Sequence, residues 1–287
     1  MSAVYKKELK SMFCGMTGVI FIAFVLLWFG VFTRGLNLKG GYSQYEFTIA
    51  SAAFISLLAI PIITMRSFAE EKHTKTDQLI YSLPIKTSEV VAAKYLAMVT
   101  VFAIPVVIIM LYPVILSSFG VVYLNTAYST LLSYFLLGSS LIAVCMFVSS
   151  LTESQAIAAI LSLGAIIFIY YLNAIASLFS TSASSSLIAL IVTSLVIAAV
   201  TYYMTKNPVA SVIVGAVLVA ACLVVYGVRS SLFENLVPNI LNGISLFSKT
   251  DNFIYGIFDV KAIIFYLSAI FLFNFLTVQA IEKKRWM

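Results

Sequence analysis

Long apolar stretches without a charged side chain recur eight times along the chain. They cover residues 12–32, 47–65, 95–117, 128–150, 156–178, 185–204, 209–228 and 262–281. The hydrocarbon core of a bilayer is about 30 Å thick, and about 20 residues of helix at about 1.5 Å per residue cross it. These stretches are apolar on all sides, whereas barrel strands alternate between apolar and polar residues. The pattern predicts an all-α, polytopic membrane protein with eight transmembrane helices in one membrane domain, residues 1–287.

Most polar residues lie in the connections between these stretches. Residues 1–11 mix basic and apolar side chains, which predicts a helix along the inner headgroup layer. Residues 66–94 form a long polar connection, and residues 185–228 form a hairpin with little polar content outside its turn. In residues 229–261 apolar side chains recur at helical spacing, which predicts short amphipathic helices at the outer interface.

The distribution of Lys and Arg predicts the orientation of the chain. If the N-terminus is cytoplasmic and the eight spans alternate in direction, 12 of the 17 Lys and Arg residues lie inside and 5 outside. Cytoplasmic loops of membrane proteins carry such an excess of positive charge. Both termini are therefore expected in the cytoplasm. The net charge of +6 reports this orientation in the lipid bilayer, and no nucleic-acid partner is expected.

Few residues could support chemistry within the chain itself. The sequence has no G-x-x-x-x-G-K-[ST] loop to cradle a nucleotide phosphate. Its predicted spans lack the ionisable residues that proton-coupled carriers usually place in the membrane. His73 is the only histidine, so it cannot complete a zinc shell with Glu70 and Glu71. The three cysteines are scattered, which favours neither a disulfide framework nor a metal site. We expect no catalytic site, metal or cofactor in this chain.

The most informative polar segment is residues 66–89, which reads RSFAEEKHTKTDQLIYSLPIKTSE. Its first half favours a helix in which Glu71 and Lys75 are spaced to pair. Pro84 ends this helix, because the residue before a proline disfavours helical geometry. The segment is either a solvated loop or a short cytoplasmic helix that a partner binds and that passes force into the second and third spans.

This segment resembles the signature of ABC-2 type transporter permeases. That signature runs roughly E-E-K-x-x-G-T-x-E-L-L-x-x-L-P-[IV] and is followed by a lysine at the start of the third span. The matching positions are Glu70, Glu71, Lys72, Thr76, Leu79, Leu83, Pro84 and Lys94. Lys75 stands where the family usually has glycine, and Gln78 where it often has glutamate. Residues 256–286 are similar to the end of the gliding-motility-associated permeases.

The resemblance implies the permease subunit of an ATP-driven exporter in the bacterial inner (plasma) membrane, where it forms the translocation path. In that family two permeases, identical or related, form a dimer that engages cytoplasmic ABC ATPase subunits. ATP and Mg are bound by the ATPase, and none of the catalysis occurs in the permease. The contacts implied for the ATPase are Glu70, Glu71, Thr76, Leu79 and Pro84.

The resemblance also implies an organisation for the single ABC-2 type transmembrane domain. The family core has six spans, so the hairpin at 185–228 would be an addition to it. Residues 1–11 would be the interfacial connecting helix, residues 66–94 the cytoplasmic coupling region, and residues 229–261 the outer re-entrant region.

Three amides within the predicted spans are candidates for the translocation path: Asn173, Asn274 and Gln279. Such residues more often form hydrogen bonds between helices. Two other functions fit the same spans. A secondary carrier or channel, or a membrane scaffold, would work without an ATPase.

Overall fold

The computed structural model describes residues 1–76, 86–178, 182–205, 215–220, 226 and 233–285. Every regular element in these residues is helical, which confirms the all-α part of the predicted fold class. The α-helices are α1 (Ser2–Cys14), α2 (Thr17–Phe32), α3 (Tyr45–Leu57), α4 (Ile60–His73), α5 (Thr87–Ile109), α6 (Leu111–Ser117), α7 (Leu124–Leu151), α8 (Gln155–Leu178), α9 (Ala183–Thr205), α10 (Leu236–Ile244), α11 (Asp251–Ile254) and α12 (Val260–Arg285). A π-helical turn (Thr33–Lys39) extends α2, and a 3-10 turn (Phe247–Thr250) precedes α11.

Within the described residues, six helical segments are long and apolar enough to cross a membrane. They are Thr17–Lys39, Tyr45–His73, Thr87–Ser117, Leu124–Leu151, Gln155–Leu178 and Val260–Lys283. They correspond to the first five predicted stretches and the last one. The predicted stretch 185–204 lies in α9, and 209–228 falls mostly outside the described residues. The chain is a multi-pass membrane protein, while the count of eight spans and the cytoplasmic termini stay predictions.

Two predicted spans are interrupted beside a proline. The second span breaks between Leu57 and Ile60, directly before Pro61. The third breaks at Met110, three residues before Pro113. Proline lacks an N–H group and clashes with the preceding helical turn, so helices commonly end before it. Both prolines lie inside apolar runs, which is why the apolar pattern alone predicts continuous helices there.

The chain folds as two compact units, one formed by Met1–Ile169 with Lys249–Met287 and the other by Tyr170–Ser248. In the first unit α7 is central and packs against α3, α4, α5 and α12. Gly138 of α7 permits this close packing, because a Cβ there would lie 2.3 Å from the ring of Phe102. The Phe102 ring is fully buried and stacks on Phe135, with ring centroids 5.9 Å apart.

In the second unit α9 packs against α10. Tyr170, the first residue of this unit, contacts Phe247 edge to face, with ring centroids 5.1 Å apart. An open apolar groove lies between the end of α8, the start of α9 and α10, and its walls include Ile175, Ile188 and Ile240. This unit contains the described part of the hairpin predicted at 185–228.

Large apolar side chains are exposed along the sides of the first unit. They include Leu27 on α2, Val107 on α5, and Leu267 and Phe271 on α12. Exposed apolar surface of this extent marks contact with another apolar phase. On helices long enough to span a bilayer, that phase is lipid or the apolar surface of a neighbouring protein.

Candidate functional site

A buried lysine joins three helices of the first unit. Lys94, near the start of α5, is only 1% exposed. Its Nζ lies 3.0 Å from Oε1 of Glu8 on α1 and 3.0 Å from Oε1 of Glu71 on α4. It also donates a hydrogen bond of 2.7 Å to the backbone carbonyl of Ser67, and it lies 5.1 Å from the centroid of the Phe68 ring. We call Lys94, Glu8 and Glu71 the Lys94 cluster.

A second cation balances the charge of this cluster. Nζ of Lys7, an exposed side chain on α1, lies 3.5 Å from Oε1 of Glu71. Two carboxylates therefore face two ammonium groups. Buried charges are tolerated when they are paired and hydrogen-bonded, and removal of one partner leaves a costly uncompensated charge. The cluster therefore fixes α1 and α4 against the start of α5.

The two adjacent glutamates of α4 have different surroundings. The carboxylate of Glu71 is largely buried within the Lys94 cluster. The Glu70 carboxylate is about half exposed, and its only ion pair within the described residues is with Nε of Arg66 at 4.0 Å. An exposed pair of this kind contributes little to stability. Of the two, Glu70 is the one available to a ligand or a partner.

The C-terminal half of α4 is also attached to the end of α7. Oγ of Ser149 accepts hydrogen bonds of 3.4 Å from the backbone N–H groups of Phe68 and Ala69, and it donates to the Met65 carbonyl at 3.3 Å. The Lys72 ammonium donates to the Ser150 carbonyl. Through these contacts and the Lys94 cluster, α4 is attached to α1, α5 and α7 at the same end of the unit.

The end of α4 is closed by a residue in the left-handed conformation. Lys75 has a φ of 57°, and the N–H of Thr76 donates to the Glu71 carbonyl at 2.9 Å. Glycine is favoured in this conformation because it has no Cβ. Since the helix ends at His73, the predicted side-chain pair between Glu71 and Lys75 is wrong: the Glu71 carboxylate pairs with Lys94 and Lys7 instead.

The N-terminal helix lies along the beginning of α5. The Tyr5 hydroxyl and Oγ1 of Thr100 are 3.0 Å apart, and the amino group of Met1 lies 3.7 Å from the Glu89 carboxylate. Helix α1 also packs against α2. The predicted helix over residues 1–11 is therefore present from Ser2 onward, and its position in the headgroup layer stays a prediction.

The structure brings together part of the predicted contact set. Glu70, Glu71 and Thr76 lie at the C-terminal end of α4, where Thr76 is exposed. Leu79 and Pro84 lie outside the described residues. Contact of these five residues with an ATPase stays a prediction.

The candidate path residues are divided between the units. Asn274 and Gln279 of α12 line an open groove of about 640 Å³ whose other wall is α5. Its lining is mainly apolar and includes Leu96 and Phe271. The Asn274 amide donates to the Ile270 carbonyl at 2.8 Å, a bond within its own helix. Asn173 belongs to the second unit.

Two members of the Lys94 cluster were missed as site residues by sequence reasoning. Glu8 was assigned only to an interfacial helix. Lys94 was matched to the family signature at the start of the third span, but no contact or role was predicted for it. A signal for Lys94 was present, because it is a lone charge between Val90-Val91-Ala92-Ala93 and the apolar run that begins at Tyr95. An isolated charge with apolar neighbours on both sides must find a buried partner or lie outside the membrane.

Within the described ranges, no group of three or more His, Cys, Asp and Glu residues is arranged to hold a metal ion. Residues 33–232 match the family described as ABC-2 family transporter protein. Comparison with curated proteins finds no match, and comparison with solved structures finds none either.

Proposed function

Because the chain belongs to the ABC-2 transporter family and is a permease component of an ABC transporter, we propose that it is driven by a separate cytoplasmic ATPase. That subunit binds ATP and Mg and docks on the coupling region, residues 66–94. Two permeases, identical or related, form the translocation path between them. The assembly exports its substrate across a bacterial inner membrane, with both termini of this chain in the cytoplasm.

The observation that carries the proposal is the attachment of α4 to its neighbours. A force applied near Thr76 acts on a helix whose last two turns are bound to α1 and α5 through Lys94 and to α7 through Ser149. Tightly packed elements move as bodies and do not deform continuously. A displacement of α4 by the ATPase therefore shifts the ends of several spans together.

In this proposed transporter, each remaining segment of the chain has a role. Helix α1 is the connecting helix, and residues 229–261 form the outer re-entrant region. The hairpin at 185–228 adds two spans to a six-span core, which completes one transmembrane domain over residues 1–287. We retain Asn173, Asn274 and Gln279 as candidate path residues. Within the family, we propose that the chain belongs to the gliding-motility-associated group of permeases.

Site-directed photo-crosslinking in intact cells tests the docking face. A photoreactive amino acid replaces Thr76 at the end of α4, and the matched control replaces Tyr42, an exposed residue that follows the first predicted span. We expect the Thr76 position to capture a soluble subunit with a G-x-x-x-x-G-K-[ST] loop and the Tyr42 position to capture none. Capture of such a subunit from Tyr42, or from neither position, would overturn the proposed docking face.

A further inference from the structure

A polar cavity of about 250 Å³ opens between α1, the start of α2 and α4, beside the Lys94 cluster. Gly15 and Thr17 line it at the turn into α2, and Arg66, Ser67 and Glu70 line it from α4. Sites for drug-sized ligands occupy about 300–1,000 Å³. This cavity is therefore suited to a small polar group and not to a whole amphipathic molecule.

Two sides of the cavity, α4 and the start of α2, carry hydrogen-bond donors that are not used within the described residues. Ser67 is only 4% exposed, and its Oγ has no hydrogen-bond partner in the part of the chain that the structure describes. Helix α2 begins at Thr17 without a side-chain cap, and the first N–H groups of a helix have no acceptor inside it. Buried polar groups in native proteins are normally hydrogen-bonded, so this hydroxyl is a candidate donor to a ligand in the cavity.

The guanidinium of Arg66 reaches the same place. Its Nη1 lies 3.8 Å from the point where a Cβ on Gly15 would stand, and that Cβ would also lie only 2.9 Å from the Ser11 carbonyl oxygen. The absence of a side chain at Gly15 keeps this corner open. A guanidinium, a hydroxyl and a helix N-terminus together form a favourable environment for a phosphate oxyanion.

The charges around the cavity determine what else the ligand must carry. Lys7, Arg66 and Lys94 are balanced by three glutamates, Glu8, Glu70 and Glu71. Glu8 and Glu71 are already paired with lysines, whereas Glu70 has only its long contact with Arg66. An anion that paired with the Arg66 guanidinium would leave the Glu70 carboxylate without a positive partner. A ligand that carries both a phosphate and a cation satisfies both side chains.

The predicted position of α1 in the headgroup layer places the cavity where such ligands are abundant. Thr17 begins the first membrane-spanning segment, and the exposed apolar side chains Phe13 and Met16 flank the turn before it. Exposed lysines on α1, among them Lys6 and Lys10, lie one to three helical turns before the turn into α2. This mixture of apolar and basic side chains is typical of a helix in the headgroup layer.

We propose that this cavity binds the headgroup of a zwitterionic phospholipid that carries a primary ammonium. The phosphodiester accepts hydrogen bonds from Arg66, from Oγ of Ser67 and from the first N–H groups of α2, and the ammonium donates to Glu70. The acyl chains remain in the bilayer. The bound lipid holds the turn between α1 and α2 against α4, next to the Lys94 cluster. This site does not depend on the proposed ATPase partner.

The test uses the purified full chain in nanodiscs that contain phosphatidylethanolamine, phosphatidylcholine and phosphatidylglycerol in equal amounts. Native mass spectrometry reports which lipid is retained. We expect phosphatidylethanolamine to be retained about tenfold over phosphatidylcholine, because its ammonium can hydrogen-bond to a carboxylate and a trimethylated one cannot. Soluble glycerophosphoethanolamine and inorganic phosphate, added in separate experiments, show whether the ligand needs its acyl chains.

Three variants localise the binding. Arg66→Met should reduce the retention of phosphatidylethanolamine about tenfold, and Ser67→Ala about fivefold. Ser67→Ala should leave the unfolding temperature unchanged, because the hydroxyl has no partner within the described residues to lose. Arg34→Met, a matched change at an exposed arginine after the first predicted span, should leave lipid retention unchanged.

Equal retention of the three lipids by the wild-type chain would overturn the proposal. Retention that neither Arg66→Met nor Ser67→Ala reduces would do so as well. Displacement of the lipid by inorganic phosphate alone would assign the cavity to a simple anion. Equal affinity for glycerophosphoethanolamine would assign the same chemistry to a soluble ligand, and either result would contradict a lipid site.

Discussion

At the scale of single residues, the Lys94 ammonium has the greatest influence on the candidate site. It contacts α1, α4 and the backbone of Ser67 while almost fully removed from solvent. Breaking a buried ion pair by removal of one partner is far more costly than the net worth of the pair, because the remaining charge is left desolvated. Lys94 is therefore expected to stabilise the folded protein and also to link movement of α4 to α1 and α5.

Replacement of Lys94 tests this expectation. Lys94→Met leaves Glu8 without its cation, and we expect a loss of about 3 kcal/mol in the free energy of unfolding. Lys94→Arg keeps the charge and should retain part of that stability. Lys10→Met, at an exposed position of α1, is the control and should have almost no effect. Thermal unfolding in detergent measures all three, and an unfolding temperature unchanged in Lys94→Met would contradict the structure of the cluster.

Lys75 is expected to respond in the opposite direction. Its left-handed backbone costs about 1–2 kcal/mol for a residue with a Cβ, so Lys75→Gly should raise the unfolding temperature despite the greater freedom of glycine in the unfolded chain. Lys10→Gly, within α1, should lower it, since glycine weakens a helix interior by about 1 kcal/mol. Equal destabilisation by both changes would show that Lys75 is not strained.

At the scale of helices, close packing around α7 organises the first unit. Gly138, Ser139 and Ser140 are small and buried, which lets α5 and neighbouring helices approach. Small residues have this role at helix interfaces within membranes, where no hydrophobic force drives association. The Phe102 ring fills the space above Gly138 and also packs on Tyr134, with ring centroids 5.5 Å apart.

Alanine substitutions at two helical glycines test this packing. Gly138→Ala places a methyl group against the buried Phe102 ring, and overpacking of this kind typically destabilises by about 1–3 kcal/mol. Gly164→Ala is the control, because no described atom lies within 4 Å of the added Cβ and alanine favours the helix. Thermal unfolding should separate the two variants. A Gly138→Ala chain as stable as Gly164→Ala would contradict the packing of α5 on α7.

The helices themselves were largely predictable, whereas their packing was not. Uncharged apolar runs predicted the six segments that the structure describes as long enough to span a bilayer. A helix that is apolar on all sides has no distinct face, so the sequence does not reveal that Lys94 meets Glu8 and Glu71 across separations of many residues. Residues 66–94 were predicted as the coupling region from their sequence. The burial of Glu71, its pairing with Lys94 and the participation of Glu8 depend on tertiary contacts.

At the scale of the whole molecule, the predicted orientation in the membrane rests on the distribution of charge. A Thr76→Cys chain and a Tyr42→Cys chain, both with Cys14, Cys145 and Cys222 replaced by Ser, test it with a membrane-impermeant thiol reagent. Tyr42→Cys should be labelled in intact cells, and Thr76→Cys only after permeabilisation, because the excess of Lys and Arg predicts a cytoplasmic coupling region. The reverse pattern would contradict the proposed topology.

The central claim is that this permease is driven by an ATPase on another chain, and its native assembly tests that claim most directly. The tagged chain is extracted from its own membranes in a mild detergent, and mass spectrometry identifies and quantifies what co-purifies. We predict a soluble subunit with a G-x-x-x-x-G-K-[ST] phosphate loop, in a fixed ratio to the permease. A stable homo-oligomer without any such subunit would contradict the account.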